Sequence, residues 1–272
     1  MPHYTSAVVT GASSGIGAAF ARALAAHGTR HLTLVARSQA GLEALSAELE
    51  RAHDVEARVF VCDLSQDEGS ARLAVHLSRA APELLVNNAG FALYNPFVEL
   101  GADAQLAMLD VNVRAMVRLS HAFVRAALAR GGGTLVQVAS GAAYAPVPHL
   151  AVYAASKSFV LHFGEALWEE LRGTPVRVLV VCPGFTETNF ARRASLPERV
   201  VLPHGVTPDA VVEAALRALD GGAPTMVHGA RTRLAAWLGR VAPRALTLRV
   251  VGAWMRRGLP ARPLASPRPR SD

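Results

Sequence analysis

The sequence predicts an α/β protein: a doubly wound parallel sheet held between two layers of helices. Two observations predict it. Short β-rich apolar runs alternate with longer segments of helical periodicity, strand–helix–strand, six times over. Most of the runs are apolar at every position, as strands covered on both faces must be. Right-handed crossovers then make the sheet parallel and the architecture a three-layer α/β/α sandwich.

The first strand is Ser6–Thr10. Ile16, Phe20 and Leu24 follow at intervals of four, the repeat of one helix face, and His27-Gly28 supplies a stop. Further strands are predicted at His31–Ala36, 57–62, Leu84–Asn87, 134–139 and Val176–Cys182, with a seventh at 224–227. Helical segments are expected over 39–52, 67–79, 102–130 and 151–173. Thr207-Pro208-Asp209 reads as a helix start, with Thr as N-cap and Pro at the first helical position. No internal repeat or linker precedes residue 228, so residues 1–230 are expected to form one domain. Residues 231–259 read as an amphipathic, Arg-rich helical extension. Residues 260–272 are rich in Pro and Arg and have the composition of a disordered tail.

Of the 272 residues 51% are hydrophobic, enough for a substantial core. The net charge of +7 is unevenly placed. Residues 231–272 hold ten Arg and one Asp, a balance of +9, while the other 230 hold 18 basic and 20 acidic groups, a balance of −2. The basic character belongs to the extension, and the domain itself offers no nucleic-acid signature. Cys62 and Cys182 each end an apolar run and read as core thiols of a reducing compartment, not as a disulfide framework. No metal-ligand spacing occurs. The N-terminus has neither a charged leader nor a cleavable apolar segment, and no run of 18 apolar residues exists; the expected location is cytoplasmic.

Directly after the first strand comes Thr10-Gly11-Ala12-Ser13-Ser14-Gly15-Ile16-Gly17, which opens a helix. Gly11 permits a tight turn, Gly15 lets backbone approach a pyrophosphate, and Gly17 allows close helix packing. The end of the second strand sorts cofactors. An acidic residue there would bind the ribose hydroxyls of NAD, but the chain has Arg37-Ser38, and a guanidinium suits a 2′-phosphate; NADP(H) is favoured over NAD. Asp63, followed by Leu64 after the third strand, is placed to reach the adenine amino group. Tyr153 and Lys157 lie four apart, on one face of a helix, with Ser140 upstream. A phenol beside an ammonium and a hydroxyl is an acid/base site for a carbonyl or an alcohol.

These motifs resemble those of the short-chain dehydrogenase/reductase family, over about residues 5–230. The resemblance rests on the glycine turn at 10–17, Asn87-Asn88-Ala89-Gly90 after the fourth strand, Asn112, Ser140, Tyr153 and Lys157, and Pro183-Gly184-Phe185-Thr186-Glu187-Thr188. It implies a Rossmann-like fold and a hydride-transfer enzyme of the carbonyl reductase or alcohol dehydrogenase type. Tyr153 would be the general acid or base, Lys157 would lower its pKa and hold the nicotinamide ribose, Ser140 would orient the substrate, and Asn112 would keep a water path to Lys157. The implied cofactor contacts are Gly11, Ser13, Ser14, Gly15, Ile16, Gly17, Arg37, Ser38, Asp63, Leu64, Asn88, Ala89, Gly90, Tyr153, Lys157, Pro183, Gly184, Thr186 and Thr188. The segment after Thr188 would be a substrate lid. Ser140, Ala142, Tyr144, His149 and Phe190 are candidate substrate contacts, mostly apolar and suited to a hydrophobic or lipid-like ketone or alcohol. The different-class alternative is a non-catalytic NADP-binding regulator on the same fold; an intact proton donor argues against it. A homodimer or homotetramer is the expected assembly.

In the extension, Leu234, Trp237, Leu238 and Val241 recur at helical spacing. Leu246, Val250, Val251, Trp254 and Met255 form a second set after Pro243, with Arg240, Arg244, Arg249, Arg256 and Arg257 among them. Such a stripe has three destinations: the catalytic domain, another subunit, or an anionic membrane surface.

Overall fold

The computed structural model describes residues 3–197 and 205–256; the expected disordered tail at 260–272 lies outside them, as do the last residues of the 231–259 extension. Seven parallel strands form one sheet in the order β3-β2-β1-β4-β5-β6-β7. They are β1 (Ser6–Thr10), β2 (His31–Ala36), β3 (Glu56–Val61), β4 (Leu84–Asn87), β5 (Gly133–Val138), β6 (Val176–Cys182) and β7 (Thr225–Val227). Every predicted strand is present, with bounds shifted by a residue at β3, β5 and β7.

The central strands explain their own sequences. All four residues of β4 are buried, and so are the last four of β1 and five of the six in β5. The edge strand β3 differs: Ala57 is buried while Val61 is exposed, because one flank has no neighbour. One face of the sheet is covered by α1 (Gly15–Ala26), α2 (Gln39–Ala52) and, later in the chain, a helix at Pro208–Ala218, through Phe20, Leu24, Leu42, Leu49, Val212 and Leu216. The other face is covered by α3 (Asp67–Ala80), α4 (Ala102–Leu109), α5 (Met116–Arg130) and α6 (Ala151–Glu170), with Leu73, Leu77, Leu119, Phe123 and Val160 inward. The remaining helices are α7 (Phe190–Arg193), α8 (the Pro208–Ala218 helix), α9 (Ala230–Val241) and α10 (Arg244–Arg256). Thr207 caps α8 as expected, its side chain accepting from the Ala210 amide.

One helix expected over 102–130 is two. Between α4 and α5, Asp110–Ala115 is wound as a π-helix, with Asn112 buried in its middle. A wider turn of this kind redirects side chains and recurs at functional sites. The helix expected to 173 ends at Glu170, where Gly173 takes a left-handed φ of 81°.

The chain leaves β1 toward β2 on one side and resumes at β4 on the other. The carboxyl ends of β1 and β4 therefore border the crevice where a doubly wound sheet reverses its direction of winding. The glycine turn and the Asn88 segment both start there.

Among the described residues no helix is long and apolar enough to cross a membrane. Helix α6 sits close on β6 because Gly164 has no side chain: a Cβ there would strike Cγ2 of Val180, itself fully buried. Val180 is β-branched and cannot swing aside. Gly164→Ala gains about 1 kcal/mol of helix propensity but overpacks at a cost of about 1–3 kcal/mol. A net loss of stability is expected, read as a lower urea midpoint with an unchanged slope.

Candidate active site

The glycine turn is shaped by backbone, not by side chains. Gly11 and Gly15 have φ of 68° and 58°. A Cβ on Gly17 would strike the Gly11 carbonyl oxygen, so the third glycine lets α1 close on the turn. Ser14 precedes α1 without its side chain accepting from a helix amide, and no acidic residue lies in the first turn. The first amides of the helix and the positive end of its dipole are thus left for an anion. Opposite stands Thr188, whose methyl group would be 3.1 Å from a Cβ on Gly15. A cleft of about 470 Å³ opens beside this pair, lined also by Ala19, Arg22, Glu187, Asn189, Pro208 and Asp209.

The neighbouring candidates take distinct places. Ser13 meets α2 where Gly41 would carry a Cβ, and Ile16 packs into the core. Arg37 is exposed at the end of β2 and forms no ion pair among the described residues, so its guanidinium is open to an anion. Ser38 caps α2, accepting from the Gly41 amide at 3.3 Å. Asp63 Oδ1 accepts from the amide and the hydroxyl of Ser65, at 2.9 and 2.8 Å, and Leu64 is buried in the core.

The Asn88 side chain donates to the Thr10 carbonyl at 2.8 Å, and Thr10 Oγ1 accepts from both the Asn88 and Ala89 amides at 2.9 Å. Gly90 follows because nothing larger fits: a Cβ would lie 2.9 Å from Asn112 Oδ1 and 3.2 Å from Lys157 Nζ. Asn112 is held at three points. Its Oδ1 accepts from the Phe91 amide, and its Nδ2 donates to the Phe91 carbonyl and to Ser156 Oγ, each at 3.0–3.1 Å.

Tyr153 and Lys157 are both buried on α6. The Ser140 hydroxyl accepts from the Ala142 amide at 3.1 Å. Burial pushes the Tyr153 phenol up to about 12, and the nearby Ser140 hydroxyl opposes that rise. Lys157 Nζ donates to the Val138 carbonyl at 2.8 Å and stands 6.0 Å from the Tyr153 ring centre. Burial lowers its own pKa to about 8. The phenol thus stays above its usual range, because burial outweighs the groups that would lower it. The phenol is a proton donor at neutral pH.

Not all expected substrate contacts converge. Phe190 packs on Tyr153 with ring centres 5.5 Å apart, and Ala142 joins the same apolar cluster with Ala92, Leu150 and Met255. His149, with φ of 67°, lies against Tyr94 at 5.8 Å, and burial lowers its pKa. Tyr144 is placed elsewhere. Its hydroxyl donates to Cys182 Sγ at 3.6 Å and Arg240 covers its ring, so it supports α9 rather than walling the pocket. In the β6 loop, Pro183 accepts from the Gly141 amide at 2.8 Å, and Gly184 makes room for Thr232. Thr186 Oγ1 donates to the Gly184 carbonyl at 3.1 Å, and Thr188 Oγ1 accepts from the Phe190 amide at 3.1 Å. Both cysteines are free and buried.

A family model described as short chain dehydrogenase matches residues 5–199, most of the chain. The chain belongs to the short-chain dehydrogenase family. Proteins similar to it carry the names of reductases and dehydrogenases. Among relatives, it is 39% identical over 189 residues to a putative ketoacyl reductase of Streptomyces coelicolor, covering 68% of this chain and 72% of that one. It is 30% identical over 190 residues to a human very-long-chain 3-oxoacyl-CoA reductase, covering 68% of this chain. That match spans 61% of the human protein's length. A short-chain dehydrogenase from Sphingobium yanoikuyae, solved in complex with NADPH, superposes with a TM-score of 0.78 at 30% identity, over 95% of this chain and 98% of that one.

Three further residues hold this dehydrogenase's site together and escape a motif reading. Thr10 is fully buried and carries the Asn88 and Ala89 amides. Ser156 Oγ donates to the Tyr153 carbonyl at 2.7 Å while accepting from Asn112. Arg193 Nη1, in the segment after Thr188, donates to Ser14 Oγ at 3.1 Å and ties that segment to the glycine turn. Ser156 lies inside the Tyr-x3-Lys stretch, but its partner Asn112 is 44 residues away, so no local pattern marks the pair. Arg193 carries no signal either, since its partner lies 179 residues away.

The buried ammonium makes stability depend on pH. Lys157 titrates near 8 when folded and near 10.5 when unfolded. Below pH 8 both states hold the proton and the burial penalty is complete. Between about 8 and 10.5 the unfolded chain binds more protons, so stability rises with pH. That rise should be absent from Lys157→Met, and the stability difference between variant and wild type should shift in favour of wild type across that window. Urea midpoints measured at several pH values check it.

Proposed function

We propose that this short-chain dehydrogenase is NADP(H)-dependent and moves a hydride between the nicotinamide and a ketone, aldehyde or secondary alcohol of apolar, lipid-like character. One observation carries the reading: a buried phenol, near the Ser140 hydroxyl and one helical turn from a buried Lys157, belongs to an apolar cluster with Ala92, Tyr94, Leu150, Phe190 and Met255. Polar substrates would lose their hydration there without compensation. Names among the relatives, a ketoacyl reductase and a very-long-chain 3-oxoacyl-CoA reductase, support the substrate class, and the NADPH complex supports the cofactor.

A bound nicotinamide would supply the hydride in the reductive direction. Ser140 and Tyr153 receive the substrate oxygen between them, and the Tyr153 hydroxyl gives it a proton. Lys157, beside Gly90 and Asn112, is placed to return a proton toward the phenol, and Asn112 holds the Phe91 backbone that lines this path. Oxidation needs the phenolate and is favoured by rising pH, since burial lifts the phenol. Arg37 takes the 2′-phosphate, with Ser13 and Ser38 next to it. Cytoplasmic placement and assembly into a homodimer or homotetramer complete the proposal; exposed Phe159, stacked on Phe163 at 5.7 Å, leaves an apolar surface on α6.

Tyr153→Phe should lower turnover of an apolar ketone by about 10²–10⁴-fold while the NADPH Kd stays within a small factor. Parallel loss of NADPH binding would remove the proton-donor assignment. Arg37→Ala should weaken NADPH binding about 10–100-fold and leave NADH unchanged, which titration of the two cofactors reads directly; wild-type affinity equal for both overturns the preference.

A further inference from the structure

Helix α9 packs with its small residues inward and its large apolar residues outward. Thr232, Ala236 and Gly239, at i, i+4 and i+7, form the buried stripe. A Cβ on Gly239 would stand 2.6 Å from the Tyr144 carbonyl oxygen, and Thr232 fills the space beside Gly141 and Gly184. Ala236 is 6% exposed. Helical geometry puts Leu234, Trp237, Leu238 and Val241 on the opposite face, and they are 58, 59, 45 and 58% exposed. Helix α10 adds exposed Leu246, Leu248 and Val250. Seven of the fourteen exposed large apolar side chains among the described residues therefore sit on α9 and α10. Single exposed residues need no explanation, but this concentration on one pair of helices does.

The charge on these helices narrows the occupant. Residues 230–256 carry six Arg and no Asp, Glu or Lys. Arg240 is turned onto the domain, against Tyr144 and 3.3 Å from Glu165. Arg231, Arg233, Arg244 and Arg249 form no ion pair among the described residues, and Arg231 and Arg233 fall on the two flanks of the α9 stripe. A second copy of this face would set Arg against Arg with no carboxylate between. A Trp/Leu stripe flanked by Arg instead fits the boundary between acyl chains and anionic headgroups.

We propose that α9 and α10 dock this protein onto an anionic lipid surface. The docking stands apart from the reaction proposed above. Its consequence for substrate entry rests on that reaction. The other side of α10, through Val251, Trp254 and Met255, belongs to the apolar cluster around Tyr153 and Phe190, and the Tyr94 hydroxyl donates to the Met255 carbonyl at 3.3 Å. One helix is both pocket wall and lipid contact, so an apolar substrate reaches Tyr153 from the bilayer side.

The test is cosedimentation of the full-length protein with phosphatidylcholine vesicles, with and without phosphatidylglycerol. Binding is expected only with phosphatidylglycerol present and should fall as salt is raised. The double variant Trp237→Glu/Leu238→Glu should bind at least about tenfold more weakly with its thermal midpoint near wild type. Should that variant unfold, Arg231→Ala/Arg233→Ala alters only exposed side chains and should still lose affinity for phosphatidylglycerol vesicles. Wild-type protein that ignores phosphatidylglycerol vesicles overturns the proposal, as does undiminished binding by the arginine variant. So does a wild type that stays off vesicles and forms a dimer which Trp237→Glu/Leu238→Glu dissociates, because the face would then belong to a second copy. Vesicle binding is read without substrate, so failure here and failure of the proposed reaction are told apart.

Discussion

The clamp between Thr10 and Asn88 is the constraint on which the site depends. The Thr10 hydroxyl is fully buried, donates toward the Val86 carbonyl at 3.3 Å, and accepts two amides from the Asn88 segment. Asn88 returns a hydrogen bond to the Thr10 carbonyl. These bonds fix the ends of β1 and β4 where the winding of the sheet reverses. The glycine turn leaves from one end and the Gly90–Phe91 backbone from the other. Phe91 pairs with Asn112, Asn112 reaches Ser156, and Ser156 holds the Tyr153 carbonyl. A chain of short polar contacts thus runs from the glycine turn to the Tyr153 backbone, in an interior where unpaired polar groups would be costly.

That arrangement trades stability for chemistry. An ammonium and a phenol are both buried, and burial moves each away from its usual titration, Lys157 down and Tyr153 up. An apolar core of the same volume would hold the fold better. What the burial provides is a phenol that stays protonated and an amine poised nearer neutral pH.

The strand positions, the glycine turn and the candidate catalytic residues were legible in the sequence because each follows from a local rule. Fully covered strands are apolar throughout, a turn at positive φ selects glycine, and a residue four positions on shares a helix face. The π-helical turn around Asn112 was not legible, since 102–130 has the periodicity of an ordinary helix and the widening is imposed by Asn112 pairing with Phe91 from another element. Nor was the place of Tyr144: its sequence position beside the site suggested a pocket wall, while Cys182 and Arg240, remote in sequence, draw it beneath α9.

The extension shows the division most clearly. By itself the sequence determined that 231–256 is helical, broken at Pro243, rich in Arg and striped with large apolar residues, because periodicity and charge are properties of neighbouring residues. Which stripe meets the domain was decided by tertiary structure. Tyr144 and the glycines at 141 and 184 leave only a shallow seat, which accepts Thr232, Ala236 and Gly239 and rejects Leu and Trp on steric grounds. Contact distance between backbones, which no local pattern encodes, turned the apolar stripe outward.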